Sequence, residues 1–254
     1  MTPNPTIFTP LLILSLAIFA WGAWKRLSLV SLGRPEDRFD NIARCFGEML
    51  QYAFGQKRVL AKPFGIDHFV IFWSFIILLI ANGEFMLHGV FPSISLERMP
   101  AGIYHPLLLV LDIVSLLALA AVTVAAIRRI VAPPYPEART LEAFFILALI
   151  ALLMLASFGI NASRLAGGEM AGAQAWLPVS GNVAQFIPGS SAPAVYTFCW
   201  WLHALALLAF MNYLPYSKHM HILTAIPNCF FRRLERPNTQ PREQFIVGKS
   251  LGVA

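Results

Sequence analysis

The chain has 254 residues, 57% of them hydrophobic and only 13% charged, with a formal net charge of +6 and a mean hydropathy of +0.65. That balance excludes an ordinary soluble globular domain and places the chain among membrane proteins, with room for about five or six spans of about 20 residues. The positive charge is gathered in a few loops, where it bears on orientation in a lipid bilayer and not on nucleic acid.

No charged residue precedes Lys25 and Arg26, so a first span is predicted over residues 7–24 with its basic end on the cytoplasmic side. The N-terminus has no positive region ahead of its apolar stretch, which is not the pattern of a cleavable signal peptide. Residues 33–64 carry Arg34, Arg38, Arg44, Lys57, Arg58 and Lys62. Within them Phe39, Ile42, Ala43, Phe46, Met49, Leu50 and Ala53 recur at helical spacing, which predicts an amphipathic helix in the cytoplasmic membrane surface.

A second span is predicted over residues 66–88, with His68 in its first turn and Glu84 and His88 at its far end. The loop through Ser93, Glu97, Arg98 and Pro100 carries no excess positive charge, as expected outside. A third span over 104–127 begins with His105 and Pro106, ends at Arg128 and Arg129, and contains Asp112, an intramembrane carboxylate expected to be neutral or hydrogen-bonded within the bundle. Pro133, Pro134 and Pro136 break the chain inside, and a fourth span over 141–161 follows. The loop over 163–193 is rich in Gly, Ala, Pro and Ser, with Arg164 and Glu169 as its only charges; it reads as an external cap with a short helix around 173–177. A fifth span over 194–214 returns to the basic side, where Lys218, Arg232, Arg233, Arg236, Arg242 and Lys249 lie. The expected fold is therefore an all-α membrane protein, a five-helix transmembrane bundle with its N-terminus outside, its C-terminus cytoplasmic and a cytoplasmic interfacial helix. No internal repeat is visible, against the inverted-repeat transporters.

Cys45, Cys199 and Cys229 are far apart and lack CxxC spacing, so they support neither a disulfide framework nor a zinc or iron–sulfur site. The six histidines are more informative. His203 lies inside the fifth span, roughly 13 Å below the outer surface at the helical rise. His221 follows eighteen residues later, five whole helical turns, so both rings point the same way if the helix continues past Pro215. His68 lies at the level of His219 and His221 on the antiparallel fifth span. An imidazole from each of two facing helices can close both axial positions of a haem iron. Tyr213, Tyr216 and Lys218, with Arg44, Lys62 or Arg232, are candidates to neutralise propionates. A lone transmembrane histidine is equally well a hydrogen-bonded bundle residue. The alternative to a haem protein is thus a haem-free membrane anchor or transporter with structural or proton-relaying histidines.

The five-span layout, HFVIFWSF at residues 68–75 and WWLHALALLAFMNYLPYSKHMHILTAIPNCFFR at residues 200–232 carry a further signal. Together they resemble the cytochrome b membrane domain related to the respiratory nitrate reductase gamma subunit. The similarity is to the version attached to heterodisulfide-reductase-like iron–sulfur proteins, including membrane oxidoreductases that pass electrons from electron-transfer flavoprotein to menaquinone. It covers essentially the whole chain. It implies an inner (cytoplasmic) membrane b-type cytochrome with one or two haems b, exchanging electrons between a cytoplasmic iron–sulfur partner and menaquinone or ubiquinone, and not catalytic alone. By position, it implies His68 and His221 as ligands of the inner haem and His203 as one ligand of an outer haem. The other outer ligand would fall about three turns after His68, where this chain has Leu78. His203 is then partnered from another span, with His88 and His105 as candidates, or the outer haem is absent or differently held. His219 competes with His221 for the inner iron. A quinone pocket is not located by the pattern; Glu84, His88 and Arg164 on the outer side, and Lys218 and His219 on the inner, are candidates. The haem domain would occupy residues 1–236, with 237–254 as a cytoplasmic tail or linker. No cluster-binding cysteine motif is present, so the resemblance implies that the iron–sulfur centre is supplied from elsewhere.

Overall fold

The computed structural model describes residues 4–33, 36–39, 41–133, 138–170 and 172–234. Arg34, Pro134, Pro136, Arg236, Arg242, Lys249 and the expected tail over 237–254 lie outside the described residues. Those described form helices and turns with no strand. Five helices are long and apolar enough to cross a membrane. They are α1 (Pro5–Leu27), α4 (Gly65–Val90), α5 (Ala101–Val131), α6 (Leu141–Ala166) and α8 (Ala192–Tyr213). At 22 to 31 residues and a rise of about 1.5 Å each, every one matches or exceeds a hydrocarbon core about 30 Å thick. Four short helices accompany them: α2 (Ile42–Met49), α3 (Lys57–Leu60), α7 (Pro178–Ala184) and α9 (His221–Phe230).

The helix starts follow local chemistry. Asn4 caps α1 by accepting from the Thr6 amide, with Pro5 at the first helical position. Thr140 accepts from the Ala143 amide to cap α6, and Asn41 from the Arg44 amide to cap α2. Each satisfies a donor left over by helix geometry. Lys25 and Arg26 close α1, and Arg128 and Arg129 close α5, where cations complement the helix dipole. These basic termini gather at one end of the bundle. There Glu142 at the start of α6 accepts from the Lys218 amide, and Arg139 donates to the Arg129 and Ile130 carbonyls.

Helices α6 and α8 form the centre and make the most extensive helix–helix contact, while α5 packs on α4 and α6, and α1 on α8 and α4. Small residues bring α6 and α8 together, as expected where lipid supplies no hydrophobic drive between helices. Ala156, Ala162, Ala204 and Ala206 are buried, and a side chain on Gly159 would overlap the Cys199 sulfur. Large side chains fill the spaces beside them, including Ile146, Leu153, Phe158, Leu207 and Phe210. Outward-facing Ile, Leu and Val are exposed on α1, α4 and α5, and Trp21 and Trp24 stand exposed near the basic end of α1. An amphipathic ring is favoured at that level of a bilayer.

A helix is present in the segment where an amphipathic one was predicted, as α2, followed by a wide turn over Leu50–Phe54. It packs against α9, while Phe39, Ile42, Phe46 and Leu50 remain exposed. The loop after α6 contains the short helical turn predicted near residue 173, over Gln174–Trp176, and also α7. The amides of Val179 and Ser180 and the Ser180 hydroxyl all donate to Asp112 on α5, at 2.6–3.3 Å. Asp112 therefore ties the loop to the bundle, which meets the expectation that it is hydrogen-bonded there.

One expectation is overturned. The helix carrying His203 does not run on to His221: α8 ends at Tyr213, and tight turns at Leu214–Tyr216 and Lys218–Met220 precede α9. Pro215 has no amide to donate, and the chain reorients around it. The eighteen-residue register therefore says nothing about where the His221 ring points.

Candidate functional site

At the basic end, the structure brings His68 and His221 together with ring centroids 6.3 Å apart and planes inclined by 36°. Both rings are held from behind. His68 Nδ1 donates to Gln56 Oε1 at 3.0 Å, and His221 Nδ1 donates to the Lys218 carbonyl at 3.1 Å. Among the described residues neither Nε2 has a hydrogen-bond partner, so both lone pairs are left for a hydrogen-bond donor or a metal ion. This is how metal-binding histidines are oriented, by a partner on the nitrogen that does not ligate. A metal–imidazole bond of about 2.0 Å on each side, plus about 1.1 Å from each nitrogen to its ring centre, puts two trans imidazole centroids about 6.2 Å apart. The observed separation fits an iron between them.

Gln56 was not legible as a site residue. It is buried, in the left-handed backbone region at φ 46°, between the Leu50–Phe54 turn and α3. A non-glycine residue held there at a cost of about 1–2 kcal/mol is a sign of a positional requirement, and its amide is what orients His68.

His219 is the neighbour and not the partner. Its ring lies 5.7 Å from that of His221, and its Nδ1 is buried without a hydrogen-bond partner. Burial, reinforced by the nearby His221, pushes its imidazole down to about 4, so it is neutral at physiological pH. Of the expected propionate partners, several are engaged elsewhere. Arg232 pairs with Glu48 at 2.9 Å and stacks on Tyr52, Arg44 donates to the Leu234 carbonyl, Tyr216 lies against Gly22, and Tyr213 meets Phe145 edge-on. Instead, Arg128 and Arg129 each present a buried Nε with no partner, and the Arg128 guanidinium lies over Phe64, just ahead of α4.

His203 is in a different environment, buried in the bundle core. Its Nδ1 lies 3.2 Å from the Leu153 carbonyl, and its Nε2 lies 3.1 Å from the Asn82 side-chain amide. The atom facing Nε2 is Asn82 Oδ1; a carbonyl only accepts, so with Nδ1 donating to Leu153 a neutral ring pairs with Asn82 when that amide is turned to present its NH₂. Phe85 covers the ring at 4.5 Å. Leu78 lines the same space as His203 and offers it nothing polar. Neither candidate partner is brought opposite. His105 stacks on Trp176, and His88 donates to the Ile94 carbonyl from a point six residues past Asn82, about 9 Å along α4. The residues around His203 thus do not fit a second bis-histidine haem.

They line instead a cavity of about 350 Å³ at the end of the bundle opposite the His68–His221 pair. Its floor is His203 and Asn82, and its aromatic wall is Phe85 stacked on Trp200 at 5.0 Å. At its mouth Arg164 is paired with Glu97 at 2.5 Å and with Glu169 at 3.5 Å. Glu84 also lines it, accepting from the Ser95 hydroxyl at 3.1 Å and the Leu96 amide at 3.2 Å. Arg164, Glu84 and His88 were expected at this end; Asn82 was not, because a single amide in an apolar run has no periodic signature.

No family model matches the chain, and no solved structure matches it. Two curated proteins do. One is the "Probable iron-sulfur-binding oxidoreductase FadF" of Bacillus subtilis, 29% identical over 237 residues, covering 91% of this chain and 33% of that protein. The other is the "EtfAB:quinone oxidoreductase" of Syntrophomonas wolfei, 28% identical over 248 residues, covering 92% of this chain and 34% of that protein. The chain thus spans about a third of the length of the curated relatives it matches, and nearly all of the chain is similar to that third.

Proposed function

We propose that the chain is the membrane electron-transfer part of a quinone-linked oxidoreductase, a b-type cytochrome of the kind related to nitrate reductase gamma subunits. The observation that carries this reading is the His68–His221 pair: two imidazoles at an iron-spanning separation, each anchored through Nδ1 with Nε2 free. It is supported by the similarity to two proteins, one named a probable iron–sulfur-binding oxidoreductase and the other an EtfAB:quinone oxidoreductase.

In this reading His68 and His221 would hold a haem, which would supply a one-electron carrier. The protein's own contribution is orientation and charge. Gln56 and the Lys218 carbonyl fix the ring planes and raise the basicity of the ligating nitrogens. The unpartnered Nε groups of Arg128 and Arg129 offer donors for propionate carboxylates. The basic end of the bundle is cytoplasmic, following the positive-inside pattern, and the iron–sulfur partner docks there, as a separate subunit or as further sequence of the same polypeptide. Menaquinone or ubiquinone is the membrane-side substrate, and the host membrane is the cytoplasmic one.

A reduced-minus-oxidised optical spectrum of the purified protein tests this directly. An alpha band at the b-type position, with one haem per chain by pyridine haemochrome, is expected. Absence of the band refutes the haem.

A further inference from the structure

The strap over residues 56–65, between the Leu50–Phe54 turn and α4, holds two strained positions. Among the described residues two non-glycine side chains sit on left-handed backbone, Gln56 at φ 46° and Phe64 at φ 67°. Such a conformation costs any residue with a Cβ and persists where the surroundings require it. At Gln56 the requirement is the His68 ring that its amide holds. Phe64 lies at the other end of the strap, in a return so tight that a Cβ on Gly65 would overlap the Val59 carbonyl. Glycine meets a left-handed position without strain, so the tight return accounts for the backbone of Phe64 and not for its side chain.

What that side chain meets is Arg128, whose guanidinium lies 3.9 Å from the centre of the Phe64 ring. Phe64 is otherwise 58% exposed, so core packing does not explain it. Stacking covers the flat face of a guanidinium and leaves its N–H donors, which all lie in its plane, pointing past the ring edge. One of them, Nε, is buried without an acceptor. The neighbouring Arg129 is held differently, with Nη1 donating to the Ala125 carbonyl of its own helix at 3.2 Å.

A competitor for Arg128 stands close by. Asp67, one residue before His68, lies within the field of both arginines, yet no ion pair joins it to either among the described residues. A guanidinium free to turn beside a half-buried carboxylate would close on it. The ring holds Arg128 off.

We infer that Phe64 is a positioning residue for the inner haem: its ring keeps the Nε edge of Arg128 free for a propionate and withholds it from Asp67. The inference rests on the cytochrome reading above and adds a residue that touches neither iron ligand. The strap then serves the site at both ends, with Gln56 behind an axial imidazole and Phe64 beneath a propionate donor. Charge gives the sign of the effect. Ferric haem carries one more positive charge than ferrous haem, so a propionate that loses its arginine favours the ferric form and lowers the midpoint potential.

The test is a potentiometric titration of the haem-loaded full chain in phosphatidylcholine nanodiscs, with the alpha band reporting the reduced fraction. Phe64→Leu keeps an apolar side chain on the same backbone but has no ring. It is expected to lower the ferrous-to-ferric ratio at fixed potential by about threefold or more, or about 28 mV where tenfold is about 59 mV for one electron. Phe64→Tyr keeps the ring and the wild-type potential. Phe64→Gly removes the ring while relieving the backbone; it shifts the potential as Phe64→Leu does, and stands in for it should that variant fail to fold. Arg128→Gln lowers the potential, and joining Phe64→Leu to it lowers it no further, because residues that act through one another do not add. Asp67→Asn raises the potential of Phe64→Leu by more than it raises that of the wild type. A wild-type potential in both Phe64→Leu and Phe64→Gly overturns the inference, as does a Phe64→Tyr variant that shifts as far as Phe64→Leu. So does a full additional shift when Phe64→Leu is joined to Arg128→Gln, or an equal effect of Asp67→Asn in the two backgrounds. Any of these results with the band present leaves the cytochrome reading standing, whereas a chain without the band overturns both.

Discussion

The hydrogen bond from His68 to Gln56 can be removed without touching either ligand. Gln56→Leu keeps the volume and apolar burial but takes away the acceptor 3.0 Å from Nδ1. A buried donor left unpaired costs about 1–3 kcal/mol, and partners behind a metal ligand are worth about 10–100-fold in affinity. The two scales agree, since each tenfold is about 1.4 kcal/mol. The measurement is the rate at which haem passes from the protein to excess apomyoglobin, normalised to starting haem per chain. An acceleration of about 10–100-fold is expected. Because Gln56 sits at φ 46°, Leu pays the same left-handed backbone cost and the comparison isolates the acceptor. Gln56→Gly removes both the acceptor and that cost of about 1–2 kcal/mol, so it should lose haem as fast as Gln56→Leu while melting no lower than it. Gln56→Glu should keep the haem and lower its midpoint potential, because a carboxylate acceptor makes the imidazole more electron-donating. Wild-type haem retention in both Gln56→Leu and Gln56→Gly would refute the idea that Gln56 orients an iron ligand.

Three further outcomes follow from the geometry. His68→Ala and His221→Ala should each abolish the b-type band, whereas His203→Gln should preserve it; equal loss in all three would show that the ligands are wrongly paired. Asp112→Asn replaces an acceptor of three donors from Val179 and Ser180 by a group that can accept at only one atom and opposes its own N–H to theirs. A cost of about 2–4 kcal/mol, seen as a fall in melting temperature on the order of 10 °C, is expected, and an unchanged melting temperature would refute the anchoring role. Gly159→Ala should destabilise by overlap with the Cys199 sulfur, and Cys199→Ala should recover part of the loss. Additive effects of the two, where contacting residues typically couple by about 0.5–3 kcal/mol, would show that α6 and α8 do not meet there.

The spans were legible because each is a long apolar run closed by charge or proline: α1, α4, α5 and α6 cover their predicted ranges, with most of their ends running a few residues beyond, and α8 covers its own to within one residue. Hydropathy registers the portion in lipid, while α5 extends as helix to Val131 through Arg128 and Arg129. Level alone placed His68 beside His219 and His221, and the resemblance pointed to His221 as its partner. The eighteen-residue register, which favours His221 over His219 only if the helix continues past Pro215, does not apply, because the chain is redirected there. What could not be read were the groups that act across sequence: Gln56, twelve residues before His68 in an irregular turn, and Asn82, whose amide faces His203 from another helix. Neither repeats with a period, so only three-dimensional packing reveals them.

The break between Tyr213 and His221 has a mechanical consequence. The two sides of the proposed iron site belong to different bodies. His68 is built into a bundle helix, whereas His221 rides on α9, which rests against α2 in the surface layer. The same surface segment carries Gln56 behind His68, so a partner pressing on or drawing away α9 would act on His221 directly and on His68 through Gln56. If His68 and His221 hold an iron as proposed, the spacing of their rings would then respond to docking at this layer.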